Sequence, residues 1–370
     1  MAGCPVVVII GGSRGIGLAT ALYISLFACT HHTRLSIVVT CRSESDCIDA
    51  SRAIDDAVAE SCGTEERVQI DSFAPLDVTN ANDLTKLGTF LDFFHGGVDV
   101  LVYAAGCCIG SSWCAGRTPA STRRVGGVSM PDVVYSVRVH CVGFWTAVEV
   151  LRPIFRRPGR IVAVTSFIGT MRFLPDSISP RDLGDARSMV TEGAGCSEES
   201  LIGLHGRSLY DTLDSRHAYE YSKNLQNLAV REVAANASAD NELEVNAVCP
   251  GSCQTDMNPA GSDSLRRCLE TIMWLAVGSR DSSRGERVHG GYFRYMKKIS
   301  WDNGSVLADI VPDYGLRSWW DRVERSASNS WPSDAGAGEG EGEGEGDAWH
   351  QVKPADLRSM RQGATTTPSA

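Results

Sequence analysis

Pro5-Val6-Val7-Val8-Ile9-Ile10-Gly11-Gly12-Ser13-Arg14-Gly15-Ile16-Gly17 decides the fold. Its first six residues are apolar without alternation, as in a strand covered on both faces of a parallel sheet. Glycines at 11, 15 and 17 follow, and then an apolar stretch of helical character. Glycine permits a tight turn, close approach of the backbone to a ligand, and close packing of helix on strand. A helix that starts in such a turn offers unpaired N–H groups to an anion. Glycine-rich turns also occur without a ligand. The position between a buried strand and a helix is what favours phosphate binding here.

Runs of the same kind recur at Leu35–Thr40, Val98–Tyr103, Arg160–Thr165 and Glu244–Cys249, with a weaker one at Val68–Ile70. The segments between them are long enough for crossover helices. The alternation predicts an α/β doubly wound parallel sheet, the Rossmann fold, in a single domain. Two segments break the rhythm. Residues 170–217, rich in Gly, Ser, Asp and Arg, read as an insertion. From about Ser326 the apolar pattern is lost, and Ala335–Asp347 alternate Gly with Glu. Residues 331–370 hold seven acidic and three basic side chains, too polar to bury enough area to offset their ordering entropy, so a disordered low-complexity tail is expected.

The 370 residues are 43% hydrophobic and 22% charged, the balance of a globular protein. No apolar run approaches the roughly 18–20 residues of a membrane span, and no basic leader precedes Val6–Ile10. A cytoplasmic protein that binds no membrane is the expectation. A net charge of −10, from 35 basic and 45 acidic residues, argues against nucleic acid as a partner. Thirteen cysteines are scattered along the chain without paired CxxC units. Free thiols in a reducing cytosol, and no metal, are expected. Cys107-Cys108, after the fourth strand, invites thoughts of redox sensing, but small apolar packing is the commoner use of cysteine.

Two patterns carry chemistry. In Tyr219-Glu220-Tyr221-Ser222-Lys223, the Tyr and Lys are four apart and share one helical face. A tyrosine, with an ordinary pKa of about 10, is a poor acid–base group near neutrality; a neighbouring ammonium lowers it. This spacing alone is common by chance. Ser166 strengthens it, ending the strand-and-turn segment Gly159 to Gly169. In Thr40-Cys41-Arg42, an acid in place of Cys41 would bind ribose hydroxyls, whereas an Arg accommodates a 2′-phosphate. Arg14 and Arg42 could clamp one phosphate together, although either alone reads as a solvated surface residue.

The glycine spacing, Ser166, Tyr219 and Lys223 resemble the short-chain dehydrogenase/reductase superfamily over about residues 5–301. The resemblance implies NADP(H) as cofactor, with Gly11, Ser13, Arg14, Gly15, Ile16 and Gly17 around its phosphates and Arg42 at the 2′-phosphate. Asp77 and Val78 match the adenine-contacting segment. Ala105 and Gly106 match half of the family's Asn-Asn-Ala-Gly, with Tyr103-Ala104 replacing the Asn half. Pro250 and Gly251, with Thr255, match the segment that holds the nicotinamide carboxamide. Ser166 is implied to hydrogen-bond a substrate carbonyl and Tyr219 to donate its proton. Lys223 is implied to lower the tyrosine pKa and hold the ribose. His140 stands where the family usually has an Asn that shapes a helix and holds a relay water. It either substitutes chemically or only fills space.

Within the family, the chain looks most like monomeric NADPH-dependent carbonyl reductases. Their resemblance implies reduction of a small-molecule ketone, aldehyde or quinone carbonyl. Ser166 and Tyr219 are 53 residues apart, and in the carbonyl reductases such an insertion covers the face used elsewhere to dimerise, so a monomer is expected. Rival readings are an alcohol, steroid or retinol dehydrogenase running the reaction backwards, a non-catalytic NADP(H) sensor or scaffold, and an acidic interaction protein whose tail is the working part. The organisation read here is a reductase domain over 1–301, an extension over 302–330 in which Trp319-Trp320-Asp321-Arg322 reads as a short helix or partner contact, and the tail.

Overall fold

A computed structural model of the chain describes residues 4–62, 67–108, 130–169, 215–237, 243–258, 260–278, 288–302 and 304–309. The expected tail and most of the expected insertion and extension, including Trp319 and Trp320, lie outside the described residues.

The chain begins β1 (Val6–Ile10), α1 (Gly15–Thr30), β2 (Leu35–Thr40), α2 (Glu44–Cys62), β3 (Val68–Phe73), α3 (Ala81–Phe90) and β4 (Val98–Tyr103). It continues with α4 (Met130–Val137), α5 (Gly143–Leu151), β5 (Phe155–Val164), α6 (Ser215–Ala237), β6 (Leu243–Cys249), α7 (Leu265–Ala276) and β7 (Tyr292–Arg294). Two short strands, β8 (Lys297–Ile299) and β9 (Val306–Asp309), complete it.

The sheet order is β3-β2-β1-β4-β5-β6-β7-β8-β9. The first seven strands run parallel, while β8 and β9 are added antiparallel. The doubly wound sheet expected from the apolar runs is therefore present. Every residue of β1, β2 and β6 is buried, because helices cover both faces. One core cluster joins Val8, Ile10 and Leu101 to Phe144 and Val230; the other joins Val7, Ile9 and Val102 to Ile24, Leu269 and Trp274. The chain reverses direction of winding between β1 and β4, and at such a switch the crevice outside the carboxyl ends of the strands takes ligands.

Three boundaries differ from expectation. β5 starts at Phe155, five residues early. α6 starts at Ser215, so the last residues assigned to the insertion form the first turn of the helix that carries Tyr219 and Lys223. β9 lies past residue 301, so the sheet reaches into the extension.

The expectation of free thiols is corrected. Cys41 is bonded to Cys47 and Cys253 to Cys268, and Cys29 is also disulfide-bonded. The fold brings neighbouring segments together: Cys41 follows the last residue of β2 and Cys47 lies in the first turn of α2. Cys107, Cys108 and Cys249 are free. Among the described residues no helix is long and apolar enough to cross a membrane, and no cluster of His, Cys, Asp or Glu could hold a metal ion.

Candidate active site

The glycine turn is fastened to its neighbours by backbone. Gly11 N–H donates to Thr40 Oγ1 at 3.3 Å and Gly12 N–H to the Thr40 carbonyl at 3.1 Å. Gly11 has φ +84°, and a Cβ there would sit 2.6 Å from the Ala105 nitrogen; one on Gly17 would sit 2.2 Å from the Gly11 carbonyl oxygen. Only glycine lets α1 start so close to β1 and β4. Arg14 is the N-cap of α1 in extended conformation, and its side chain does not cap the helix. The first-turn amides of Gly15, Ile16 and Gly17 thus keep the orientation that suits an anion. With Ser13 partly exposed in the same turn, this cradle fits a cofactor pyrophosphate.

Across the crevice stands the segment after β6. A Cβ on Gly15 would be 3.8 Å from Thr255, so the two loops face one another. Thr255 is set in a closed turn: Asn258 N–H reaches its carbonyl at 3.0 Å and its Oγ1 at 3.2 Å. Pro250 is buried, and Gly251, at φ +91°, leaves the space that the Tyr295 ring fills.

The adenosine end is less fully assembled. Asp77 Oδ1 accepts from the Thr79 N–H at 2.9 Å and hydroxyl at 2.8 Å, which shapes the turn after β3. Val78 is buried beneath it. Arg42 is exposed at the end of β2 and hydrogen-bonds Tyr135 of α4. Cys41, in the position of the acid, is buried in its disulfide.

The side chains expected to be catalytic converge from the ends of β4 and β5 and from α6. Ser166, two residues past β5, hydrogen-bonds the Tyr219 hydroxyl. Lys223 lies one turn further along α6, its Nζ 5.9 Å from the Tyr219 ring centre. Gly106, exposed at the end of β4, leaves open the space beside them: a Cβ there would stand 3.4 Å from His140 Nε2 and 3.9 Å from Lys223 Nζ. Burial pushes the Lys223 ammonium down to about 8. Burial pushes the Tyr219 phenol up, and the Ser166 hydrogen bond only partly offsets it. Burial therefore sets the direction of the Tyr219 shift in this structure. Burial likewise pushes the Cys107 thiol up to about 12.

His140 sits in a π-helical turn, Arg138–Val142, that joins α4 to α5. Its ring meets that of Tyr219 edge-on, with centres 5.7 Å apart. Its Nε2 accepts from the Cys107 N–H at 3.0 Å, and its Nδ1 lies 2.9 Å from Ser222 Oγ. Tyr103, which replaces an Asn of the family pattern, donates its hydroxyl to the Val139 carbonyl at 2.5 Å. Gly143 makes this possible, since a Cβ there would be 2.7 Å from that hydroxyl oxygen. Tyr103, His140 and Gly143 thus form one packed unit.

Sequence reasoning missed Gln226, Asn224 and Asn227. Lys223 Nζ donates to Gln226 Oε1 at 2.9 Å, while Asn224 and Asn227 both donate to the Gly169 carbonyl. The signal available was three amides in four residues on a helix that has to be buried.

A family model described as short chain dehydrogenase matches residues 5–176. This match, the sheet order and the Ser166, Tyr219 and Lys223 constellation agree with one another: the chain is similar to the short-chain dehydrogenase/reductase superfamily of oxidoreductases. Among individual proteins it is similar to carbonyl reductase (NADPH) 1 of Homo sapiens, 28% identical over 313 residues that cover 81% of this chain and 99% of the relative. It is also similar to salutaridine reductase of Papaver bracteatum, 26% identical over 68% of this chain and 83% of the relative. Two solved structures share the fold. Salutaridine reductase from Papaver somniferum has a TM-score of 0.59 at 23% identity, covering 78% of this chain and 99% of that one. Menthone neomenthol reductase from Mentha piperita has a TM-score of 0.55 at 18% identity, covering 80% and 99%.

Proposed function

We propose that the protein is an NADPH-dependent reductase of ketone, aldehyde or quinone carbonyls. The observation that carries this is the convergence of Ser166, Tyr219 and Lys223 beside the space left by Gly106, in line with the glycine turn. When bound, the nicotinamide supplies a hydride for the carbonyl carbon. Ser166 and Tyr219 hydrogen-bond the carbonyl oxygen, and Tyr219 gives it the phenolic proton. Lys223, charged near neutrality, holds the nicotinamide ribose and attracts the negative charge that develops next to it. The upward shift of Tyr219 keeps its phenol protonated near neutrality, the form that donates a proton in reduction. Arg14 and Arg42, with no acid at Cys41, support NADPH over NADH.

The protein is further proposed to work as a monomer with a small-molecule partner, without nucleic acid or membrane. The length of the connection between Ser166 and Tyr219 and the net charge of −10 support this reading. The test is NADPH oxidation by the purified chain with a panel of quinones and aromatic ketones, beside NADH and Tyr219→Phe. Turnover that prefers NADPH and is lost in the variant is expected. Tight NADPH binding without turnover on any carbonyl would point instead to a sensor.

A further inference from the structure

Asn224-Leu225-Gln226-Asn227 follows Lys223 directly and is polar at three of its four positions, yet Asn224 is 2%, Gln226 0% and Asn227 3% exposed. Buried amides cost stability unless they find partners. Asn224 and Asn227 donate to the Gly169 carbonyl at 3.0 and 2.7 Å and anchor α6 on the turn after Ser166. Gln226 does something else. Its Oε1 accepts from Lys223 Nζ at 2.9 Å, and its Nε2 donates to the Val164 carbonyl at 3.4 Å. That carbonyl, at the end of β5, also accepts from Lys223 Nζ at 3.4 Å. Two of the three ammonium hydrogens are thereby directed to β5 and Gln226, leaving one for the side on which Gly106 opens the crevice.

We propose that Gln226 is a positioning residue for Lys223, holding the ammonium at the end of β5 so that the grip of Lys223 on the cofactor depends on the Gln226 oxygen. The inference rests on the NADP(H) reading above. The titratable groups that face Lys223 are Tyr219 on its own helix, His140 from the π turn, Cys107 and Cys108 after β4, and Cys249 at the end of β6. None of these is a carboxylate. An amide oxygen in that place stabilises the charged ammonium without adding a charge of its own.

The test is fluorescence titration of NADPH onto the full chain across about pH 6.5–9.5, comparing wild type with Q226L, Q226M and Q226E. Removing the acceptor in Q226L should move the pH at which affinity falls downward by about half to one unit. A carboxylate in Q226E should move it upward by about one unit or more. Q226M, close to Gln in length, repeats the test of the apolar variant should Q226L not fold. Opposite shifts support the proposal, because a merely structural role would weaken binding in every variant at every pH. No shift, or shifts of one sign in all variants, overturns it. A wild type that binds no NADPH at any pH overturns the cofactor reading instead.

Discussion

His140 Nδ1 lies 2.9 Å from Ser222 Oγ, and this contact ties the π turn to the catalytic helix. The neighbours decide which atom carries the proton. The Cys107 N–H donates to Nε2, and Ser222 gives its own hydroxyl proton to the Tyr219 carbonyl at 2.9 Å. Nδ1 is therefore the donor and the ring is neutral, in keeping with burial and the Lys223 charge, which hold its pKa well below the ordinary value. With both nitrogens committed to protein partners, the imidazole acts as a strut rather than a proton carrier.

Replacing His140 by Ala strands the Cys107 N–H and removes one of the two hydrogen bonds of the Ser222 hydroxyl. A buried group left without a partner costs about 1–3 kcal/mol. Turnover should fall about tenfold or more through loosening of Tyr219, while NADPH affinity changes little. Steady-state kinetics beside NADPH titration separates the two; equal losses in both would show that His140 supports the cofactor instead.

The same residue predicts a pH dependence of stability. A histidine whose folded pKa is depressed binds its proton only in the unfolded chain between the two pKa values, so stability falls as pH drops below about 6.5. His95, lowered mainly by burial, acts in the same direction. Denaturant unfolding between about pH 7 and 5 should therefore show a slope that is shallower, but not flat, in His140→Asn.

Tyr219→Phe removes the proton donor and keeps the ring. Carbonyl reduction should drop by about 10²–10⁴-fold, with the melting temperature of the protein close to that of the wild type. A variant that retains a tenth of wild-type turnover would show that another group delivers the proton.

Gly17→Ala places a methyl 2.2 Å from the Gly11 carbonyl oxygen, where backbone has to move. NADPH affinity should be lost even in protein that folds. Gly290→Ala is the contrasting case: Gly290 has φ +66° but no atom within 4 Å of an added Cβ. It should cost only about 1 kcal/mol of stability and leave binding intact.

Cys253–Cys268 closes a loop of 15 residues between the segment after β6 and α7. Cys268→Ser should destabilise the oxidised protein by about 3 kcal/mol, an effect that disappears in reducing buffer. Alkylation and mass spectrometry of denatured, unreduced protein should label Cys107, Cys108 and Cys249 and leave Cys253 and Cys268 unlabelled.

Sequence periodicity reached far into this fold. Continuous apolar runs marked five of the buried strands because a parallel strand between two helical layers meets no water on either face. The weaker run at Val68–Ile70 marks the start of β3, which is half-exposed because it is the edge strand of the sheet. β8 and β9 escaped notice because strands of three and four residues held by antiparallel pairing carry no periodic signal.

Local chemistry was legible for the same reason. The glycine turn is a contiguous stretch whose conformation needs glycine, and Tyr219 and Lys223 meet because four residues span one helical turn. What only the tertiary structure decided lies between elements. The sheet order sets the ends of β4, β5 and β6 side by side, so Ser166 meets a tyrosine 53 residues away and His140 bridges Cys107 to Ser222. The disulfide of Cys41 with Cys47 and the hold of Gln226 on Lys223 depend likewise on where side chains end up once burial excludes water and each polar group has to find its partner within the fold.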